Sequence, residues 1–219
     1  RWTEPGVQAI QKCFVYAPQC PADGTTRWVD VVFADGSYTQ EVSTINVHLN
    51  AALEILDNIT SSYSIDPNRV YIEGLSMGGY ATWAVINEYP YKFAAAIPIA
   101  GAGDPSRGSL LTHLPIWAFH GDADPTVPVS GTRDMINAIT AAGGSPNYTE
   151  YPGVLHDSWT PAMQEASLPP WLFAQTNQWG AETVSQTVPS GLNVGETQSV
   201  QITLTNTGYN TWTTADGYK

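Results

Sequence analysis

The chain has 219 residues, of which 42% are hydrophobic and 11% aromatic, so it can bury a core and is not a disordered segment. Twenty acidic against eight basic side chains give a formal net charge of −12, which argues against a nucleic-acid partner because phosphates would be repelled. No apolar run approaches the roughly 20 residues that a membrane-spanning helix needs. Only 13% of the residues are charged, against an average of about 25%, a composition that we associate with exported proteins.

Apolar runs alternate along the chain between strand-like and helix-like patterns. Strand-like runs are short, whereas helix-like segments repeat apolar residues every three or four positions. In chain order, the predicted elements are a strand at 13–17, a helix at 47–59, a strand at 69–73, a helix at 77–88, strands at 93–100 and 116–120, a helix at 130–142, a strand at 148–151 and a mostly helical segment at 161–175.

This order of elements predicts the fold class. Strand–helix–strand units form parallel sheets with helices on both faces. The run FAAAIPIA at residues 93–100 is apolar on nearly every residue, which is typical of a strand covered on both faces. We therefore predict an α/β fold with a mostly parallel, doubly wound sheet.

The C-terminal segment follows a different pattern. At residues 200–205 apolar and polar residues alternate, which predicts a half-buried antiparallel strand. The segment is too short for a β-sandwich, which takes about 100 residues. We therefore predict a catalytic domain at residues 1–178, followed at residues 179–219 by a linker and the first strands of an incomplete β-rich module.

The most informative motif is GLSMG at residues 74–78, which fits GxSxG. It directly follows a predicted strand and opens a predicted helix, the context of a nucleophile elbow, where close packing demands glycine on either side of the serine. Ser76 would then be the nucleophile, and the backbone N–H of Met77 would stabilise the oxyanion. The alternative is a glycine-rich turn that serves packing alone.

A serine nucleophile needs a base, and the base needs an orienting carboxylate, in the chain order serine, acid, histidine. Of the four histidines, only His156 follows Ser76 with room for an acid at a strand end between them. His48 precedes the serine and His113 lies in a predicted loop. His120 ends a predicted strand directly before the candidate acids, so we expect it to support their loop.

The acid is expected in the segment GDADPTVP at residues 121–128. Asp124 is favoured because it lies further along this loop, at the carboxyl edge of the sheet where catalytic groups gather. Asp122 is the alternative and is expected to brace the turn. Trp159, three residues after His156, is the candidate for a substrate contact. The cysteine and histidine spacings match no metal site, so no metal is expected. Acyl transfer through a serine needs no cofactor, so none is expected.

Four segments, CFVYAPQCP, GLSMGGYATW, PIWAFHGDADPTVP and GVLHDSW, together resemble an α/β-hydrolase of the extracellular carboxylesterase type. Relatives of this type are described as phospholipase/carboxylesterase-like or polyhydroxybutyrate-depolymerase-like, and the resemblance covers about residues 12–175. It implies that Ser76 is the nucleophile, Asp124 the acid and His156 the base of a secreted or periplasmic enzyme. The tail at residues 179–219 resembles the first strands of an immunoglobulin-like module, although an ordinary β-rich linker is the alternative.

The chain departs from this family pattern at its N-terminus. Such enzymes take a second oxyanion N–H from a loop after an earlier strand, often marked His-Gly, but here His-Gly occurs only at residues 120–121. We therefore expect a natural gene product that is longer at its N-terminus, and a sheet that lacks its first strands. We also expect weak or absent activity, because losing one oxyanion donor costs about 10²–10³ in rate.

The function expected from the sequence is a serine carboxylesterase that forms an acyl-enzyme on Ser76. Its substrate would be a small-molecule or polysaccharide-linked ester. Two alternatives stay open: a serine peptidase with the same three residues, and a catalytically silent hydrolase-like domain that binds a partner or serves as a scaffold. The residues indicate neither the acyl and alcohol groups nor the oligomeric state.

Overall fold

The computed structural model describes residues 1–21, 23, 26–30, 32–34, 37–39, 45–178, 181–187 and 199–206. Its helices are α1 (Pro5–Ile10), α2 (Val47–Ser62), α3 (Met77–Glu88), α4 (Ser130–Ala141), α5 (Trp159–Ala162) and α6 (Leu168–Phe173), with 3-10 helices at Pro67–Arg69 and Pro105–Leu111. Its strands are β1 (Val32–Ala34), β2 (Ser37–Thr39), β3 (Tyr71–Leu75), β4 (Ala95–Ile99), β5 (Trp117–Gly121), β6 (Asn147–Tyr151), β7 (Ala181–Gln186) and β8 (Ile202–Asn206).

The central sheet has the order β3-β4-β5-β6, and every neighbouring pair is parallel. Helix α3 connects β3 to β4, and α4 connects β5 to β6. Because all four strands run in one direction, their carboxyl ends lie at the same edge of the sheet. The predicted α/β fold with a parallel sheet is confirmed.

Helices cover both faces of this sheet. One face packs against α2, α3 and α4 around the fully buried Trp83 and Met135. The other face packs against α1, α5 and α6 around Leu168. Successive residues of β4 point to opposite faces, so that Ala96 joins the first core and Ile97 the second. This two-sided burial explains why the β4 sequence is apolar throughout.

Two predicted elements are wrong in detail. Residues 11–20 contain no strand; the Gln8 side chain instead hydrogen-bonds the backbone of Cys13, accepting from its N–H and donating to its carbonyl. The segment predicted as mostly helical at 161–175 divides into α5 and α6. The proline pair at 169–170 explains why a new helix begins at Leu168. Proline is tolerated in the first turn of a helix, where N–H groups have no intrahelical partner.

The predicted helix at 47–59 exists but buries a different face. Asn46 caps α2 by accepting hydrogen bonds from the backbone of its first turn. Leu49 and Ala52 are the buried residues of α2, whereas Val47 and Ile55 are 73% and 48% exposed. With Leu53 and Leu56, which are partly buried against the same core, the two buried residues form an i, i+3, i+4, i+7 stripe that is shifted from the one the sequence suggested.

The remaining strands form two antiparallel pairs outside the central sheet, β1 with β2 and β7 with β8. The pairing of β8 agrees with the antiparallel strand predicted at residues 200–205. Residues 179–180, 188–198 and 207–219 of the predicted β-rich module lie outside the described residues. No helix in the described part of the chain has the length and apolar character needed to cross a membrane.

Candidate active site

Ser76 lies at the sharp turn that connects β3 to α3. Its backbone has φ 53° and ψ −116°, a left-handed conformation that is uncommon for a residue other than glycine and costs of order 1–3 kcal/mol. Hydrogen bonds hold the turn on both sides: the N–H of Ser76 donates to the Ile99 carbonyl at 2.9 Å, and the N–H of Tyr80 donates to the Ser76 carbonyl at 3.1 Å. The strained conformation of Ser76 is thus held by hydrogen bonds to the neighbouring strand β4 and within helix α3.

Glycine is required at two places around this turn. A Cβ on Gly74 would lie 2.1 Å from the Gly78 carbonyl oxygen, and a Cβ on Gly79 would lie 2.4 Å from the Ile99 carbonyl oxygen. A Cβ on Gly78 would meet nothing within 4 Å. The expectation that packing demands glycine on both sides of Ser76 therefore holds for Gly74, while Gly79 rather than Gly78 makes the second close approach.

The three residues predicted for catalysis lie within hydrogen-bond distance of one another. Ser76 Oγ is 2.8 Å from His156 Nε2, and His156 Nδ1 is 2.7 Å from Asp124 Oδ2. The Asp124 side chain is fully buried, whereas that of His156 is 21% exposed. Ser76, Asp124 and His156 follow β3, β5 and β6, so the carboxyl edge of the sheet brings together residues up to 80 positions apart.

Asp124 is held by its own loop. Its Oδ1 accepts hydrogen bonds from the backbone N–H groups of Thr126, at 2.8 Å, and Val127, at 2.9 Å. Burial alone would raise the pKa of the Asp124 carboxyl, but the hydrogen bonds from His156 and from these two N–H groups outweigh it, so the pKa lies below its ordinary value. Asp124 is therefore an ionised carboxylate facing His156.

Asp122 occupies a bracing position in the same loop. Its Oδ1 accepts a hydrogen bond of 2.6 Å from the N–H of Gly153, which lies in the loop that carries His156. The carboxylate thus ties the two loops together without contacting the histidine. This matches the bracing function that the sequence suggested for it.

The other histidines lie away from Ser76. His48 is exposed in the first turn of α2, and His113 has its Nε2 3.0 Å from the Pro90 carbonyl oxygen. His120 is buried beneath the acid loop, with its Nε2 3.0 Å from the Val127 carbonyl oxygen. Sequence reasoning did not find Thr132, whose hydroxyl contacts the His120 ring, because a threonine on the buried face of a helix carries no distinguishing pattern.

Met77 and Trp159 flank the serine and the histidine. Met77 is the first residue of α3, so its N–H belongs to the first turn, whose N–H groups have no intrahelical acceptor. The Trp159 ring meets the His156 ring edge-on, with centroids 5.1 Å apart, while the tryptophan also packs against the core of the α1/α5/α6 face. Leu75 and Met77, next to Ser76 in the chain, and Leu155, next to His156, are 44%, 39% and 59% exposed.

Two cavities lie at the opposite edge of the sheet. They have volumes of about 150 and 300 Å³ and share His113 and Pro115, which precede β5. Neither is lined by Ser76, Asp124 or His156. Ser76, Asp124 and His156 therefore lie at the carboxyl edge, away from both of these cavities.

The phospholipase/carboxylesterase family matches residues 15–168 of the chain. Among solved structures, a thermostable esterase is similar with a TM-score of 0.72 and 38% identity, over 80% of this chain and 47% of that one. Poly(3-hydroxyalkanoate) depolymerase C of Paucimonas lemoignei is 48% identical over 40% of this chain, and the bifunctional acetylxylan esterase/xylanase XynS20E of Neocallimastix patriciarum is 28% identical over 49% of it.

The chain spans 28% of the length of the depolymerase and 17% of that of the acetylxylan esterase. The family match nevertheless covers more than half of the present chain, and its relatives are named for ester hydrolysis and depolymerisation. The resemblance indicated by the sequence motifs is thereby confirmed at the level of the family and the fold. The chain belongs to the phospholipase/carboxylesterase family of α/β-hydrolases.

Proposed function

We propose that this chain is a serine carboxylesterase that works through an acyl-enzyme. Ser76 Oγ attacks the ester carbonyl while His156 accepts the serine proton, and His156 then returns this proton to the leaving alcohol. A water molecule activated by His156 releases the acid and regenerates Ser76. The observation that carries the proposal is the hydrogen-bond chain from Ser76 Oγ through His156 to Asp124, with steps of 2.8 and 2.7 Å.

The protonation states follow from the partners of the His156 ring. The ionised Asp124 carboxylate can only accept, so the neutral ring carries its proton on Nδ1. Nε2 then has a lone pair directed to the Ser76 hydroxyl, as a general base requires. Asp124 fixes this tautomer and stabilises the imidazolium that forms during attack.

The backbone N–H of Met77 is the proposed oxyanion donor. It stands at the N-terminus of α3, a helix of 12 residues whose dipole places partial positive charge there. Negative charge that develops on the carbonyl oxygen would be stabilised at this point. The open space above Gly78, where a Cβ would meet nothing within 4 Å, leaves room for the substrate to approach.

The substrate is proposed to be a small-molecule or polymer-linked ester. The exposed apolar residues Leu75, Met77 and Leu155, which are neighbours of Ser76 and His156 in the chain, suit a hydrophobic acyl group, and Trp159 is the proposed contact next to His156. The names of two relatives refer to polymers, poly(3-hydroxyalkanoate) and acetylxylan, which supports an ester carried on a polymer. Release of hydroxy acid from poly(3-hydroxybutyrate) film and of acetate from acetylated xylan would distinguish these two classes.

The domain organisation and location complete the proposal. Residues 1–178 form the hydrolase domain, and residues 179–219 form a linker and the first strands of an immunoglobulin-like module, which the antiparallel pairing of β7 with β8 supports. The protein is proposed to act outside the cytoplasm, as its charged fraction of only 13% suggests. Limited proteolysis that leaves a stable fragment ending near residue 178 would support the boundary.

Hydrolysis of p-nitrophenyl acetate tests the proposed mechanism. The chain should release p-nitrophenol above background, although slowly because the sequence indicates Met77 as its single oxyanion donor. Ser76→Ala should abolish this turnover, and Ser61→Ala, an exposed serine on α2, should retain it. Turnover that survives Ser76→Ala would contradict the proposal. Cleavage of peptide p-nitroanilides in preference to the ester would favour a peptidase with the same residues.

A further inference from the structure

His120 is a buried polar side chain directly beneath the proposed catalytic pair. It lies in β5 next to the acid loop and is completely excluded from solvent. Its Nδ1 is 2.8 Å from the Thr132 hydroxyl, and its Nε2 is 3.0 Å from the Val127 carbonyl oxygen and 3.4 Å from Asp124 Oδ2. Both ring nitrogens therefore have partners, and one of them faces the carboxylate that orients His156.

The acceptors around Nε2 decide where the His120 proton lies. The Val127 carbonyl and the ionised Asp124 carboxylate can only accept, so Nε2 must carry a proton. Burial is the dominant influence on the ring and lowers the pKa of His120, which favours the neutral form. Nδ1 then holds a lone pair, and the single proton of the Thr132 hydroxyl can go either to this lone pair, at 2.8 Å, or to the Gly101 carbonyl oxygen, at 2.9 Å.

This arrangement holds the Val127 backbone at both its N–H and its carbonyl. The N–H of Val127 donates to Asp124 Oδ1 at 2.9 Å, while the carbonyl of the same residue accepts from His120 Nε2 at 3.0 Å. His120 is in turn connected to α4 through Thr132. Val127, whose N–H binds Oδ1 of Asp124, is thus itself held by His120. The other oxygen of Asp124, Oδ2, faces Nε2 of the same histidine.

We propose that His120 is a positioning residue: its Nε2–H holds the acid loop so that Asp124 stays aligned with His156 Nδ1. The inference rests on the proposed function only in identifying Asp124 and His156 as the catalytic pair. Without the His120 N–H, the Val127 carbonyl would lack its donor and the loop would relax. A displacement of Asp124 by about 1 Å is enough to lower turnover about 10²-fold.

Three substitutions separate positioning from general support of the fold. His120→Leu removes both ring nitrogens and keeps an apolar side chain in the core. His120→Gln places an amide N–H donor near the position of Nε2. Thr132→Val has a similar shape and removes the hydroxyl that contacts both Nδ1 and the Gly101 carbonyl oxygen. His120→Leu and Thr132→Val should both lower the unfolding midpoint, because each leaves a buried polar group without its hydrogen bond.

Only His120→Leu should disturb the proposed catalytic pair. We expect kcat for p-nitrophenyl acetate to fall about tenfold to 10²-fold in His120→Leu with KM changed less than about threefold. His120→Gln should recover most of this loss, and Thr132→Val should retain kcat within about threefold. A merely structural histidine would make kcat follow the unfolding midpoint across all three variants.

NMR of the histidine rings tests the inference without turnover. In the unsubstituted chain, ¹⁵N shifts should show a protonated Nε2 on His120 and a hydrogen-bonded Nδ1–H on His156, and the latter signal should weaken in His120→Leu but not in Thr132→Val. An unprotonated His120 Nε2, or an unchanged His156 signal in a folded His120→Leu chain, would overturn it. If His120→Leu does not fold, the His120 ¹⁵N shifts and the Gln variant decide. Absence of Ser76-dependent turnover alongside the expected signals would refute the esterase proposal and leave the positioning role standing.

Discussion

The two halves of the candidate site are held in place by different means. At the turn from β3 to α3, close backbone packing fixes Ser76, because Gly74 and Gly79 each lie against a carbonyl group. In the loop after β5, hydrogen bonds fix Asp124, since backbone N–H groups occupy Oδ1 and the rings of His156 and His120 face Oδ2. Packing of this kind tolerates no added Cβ, whereas a hydrogen-bonded loop is sensitive to loss of a donor.

The difference explains which half can be recognised in the sequence. A close backbone approach requires glycine at fixed neighbouring positions, so the turn carries a contiguous motif. The hydrogen bonds around Asp124 involve His120, Thr132 and His156, which are separated in the chain and follow no fixed spacing. Four predictions test this contrast.

The largest effect is expected from Asp124→Asn. An amide in place of the carboxylate would stabilise the wrong tautomer of His156, so kcat should fall about 10³–10⁴-fold. Asp122→Asn is the matched control, because Asp122 contacts the Gly153 N–H rather than the histidine. Steady-state hydrolysis of p-nitrophenyl acetate measures both, and similar losses in the two variants would contradict the assignment of Asp124 as the acid.

The next effect concerns the packed turn. Gly79→Ala should lower the free energy of unfolding by about 1–3 kcal/mol, because its Cβ would lie 2.4 Å from the Ile99 carbonyl oxygen. Gly78→Ala should be neutral or stabilising by up to about 1 kcal/mol, since its Cβ meets open space and alanine favours the helix. Urea denaturation would reveal the difference, and equal stability of the two variants would refute the packing argument.

A pH-dependent effect distinguishes the carboxyl groups of the two halves. Burial raises the pKa of Glu73, in β3, from 4.5 to about 7, although the Trp2 indole N–H donates to it. The folded chain therefore keeps a proton that the unfolded chain releases, and stability contributed by the protonated form is lost as the pH rises from about 4.5 to about 7. Glu73→Gln should remove this loss, whereas Glu54→Gln, exposed on α2, should not.

Urea unfolding of these variants between pH 4.5 and 8 gives the measurement, and parallel curves for Glu73→Gln and the unsubstituted chain would contradict this prediction.

The contribution of Asp124 to stability depends on pH in the opposite direction. Its pKa is lowered from 3.8, so the stability that it contributes is present above that value and is lost as the pH falls through the lower pKa of the folded state. Glu73, in the strand before the serine, thus has a raised pKa, whereas Asp124, in the acid loop, has a lowered one.

The smallest effect is expected at the proposed substrate contact. Trp159→Phe keeps an aromatic ring against the core but leaves a smaller ring next to His156. Because the substrate would then have less surface to contact, KM should rise about two- to fivefold with little change in kcat. Trp171→Phe, a half-buried tryptophan on the same face of the sheet, is the control. A loss confined to kcat would indicate that Trp159 orients the histidine instead of contacting the substrate.

Much of the fold was predictable because local signals agreed with the tertiary structure. Helix α3 begins at Met77 and ends at Glu88 as predicted, since a glycine-rich turn precedes it and Pro90 follows. The buried face of α2 was not predictable, because apolar residues occur on more than one side of that helix and only packing selects among them. Residues 13–17 have a strand-like composition without a strand partner among the described residues, which composition alone does not reveal.

The same distinction applies to the candidate site. Ser76 was identified from its motif, and His156 and Asp124 from chain order and their positions after strands. The hydrogen bond between His120, in β5, and Thr132, in α4, joins residues 12 positions apart. It depends on side-chain orientations that only the fold determines. No local pattern encodes it.

Covalent labelling with a fluorophosphonate is the most direct test of the central claim that Ser76, His156 and Asp124 act as one unit. Such a reagent modifies a serine only when a neighbouring base activates it, and the modified residue can be located by peptide mass spectrometry. We predict a single adduct on Ser76, lost in His156→Ala and strongly slowed in Asp124→Asn. An adduct on another serine, labelling of Ser76 that is indifferent to both substitutions, or no adduct after prolonged exposure would contradict the account.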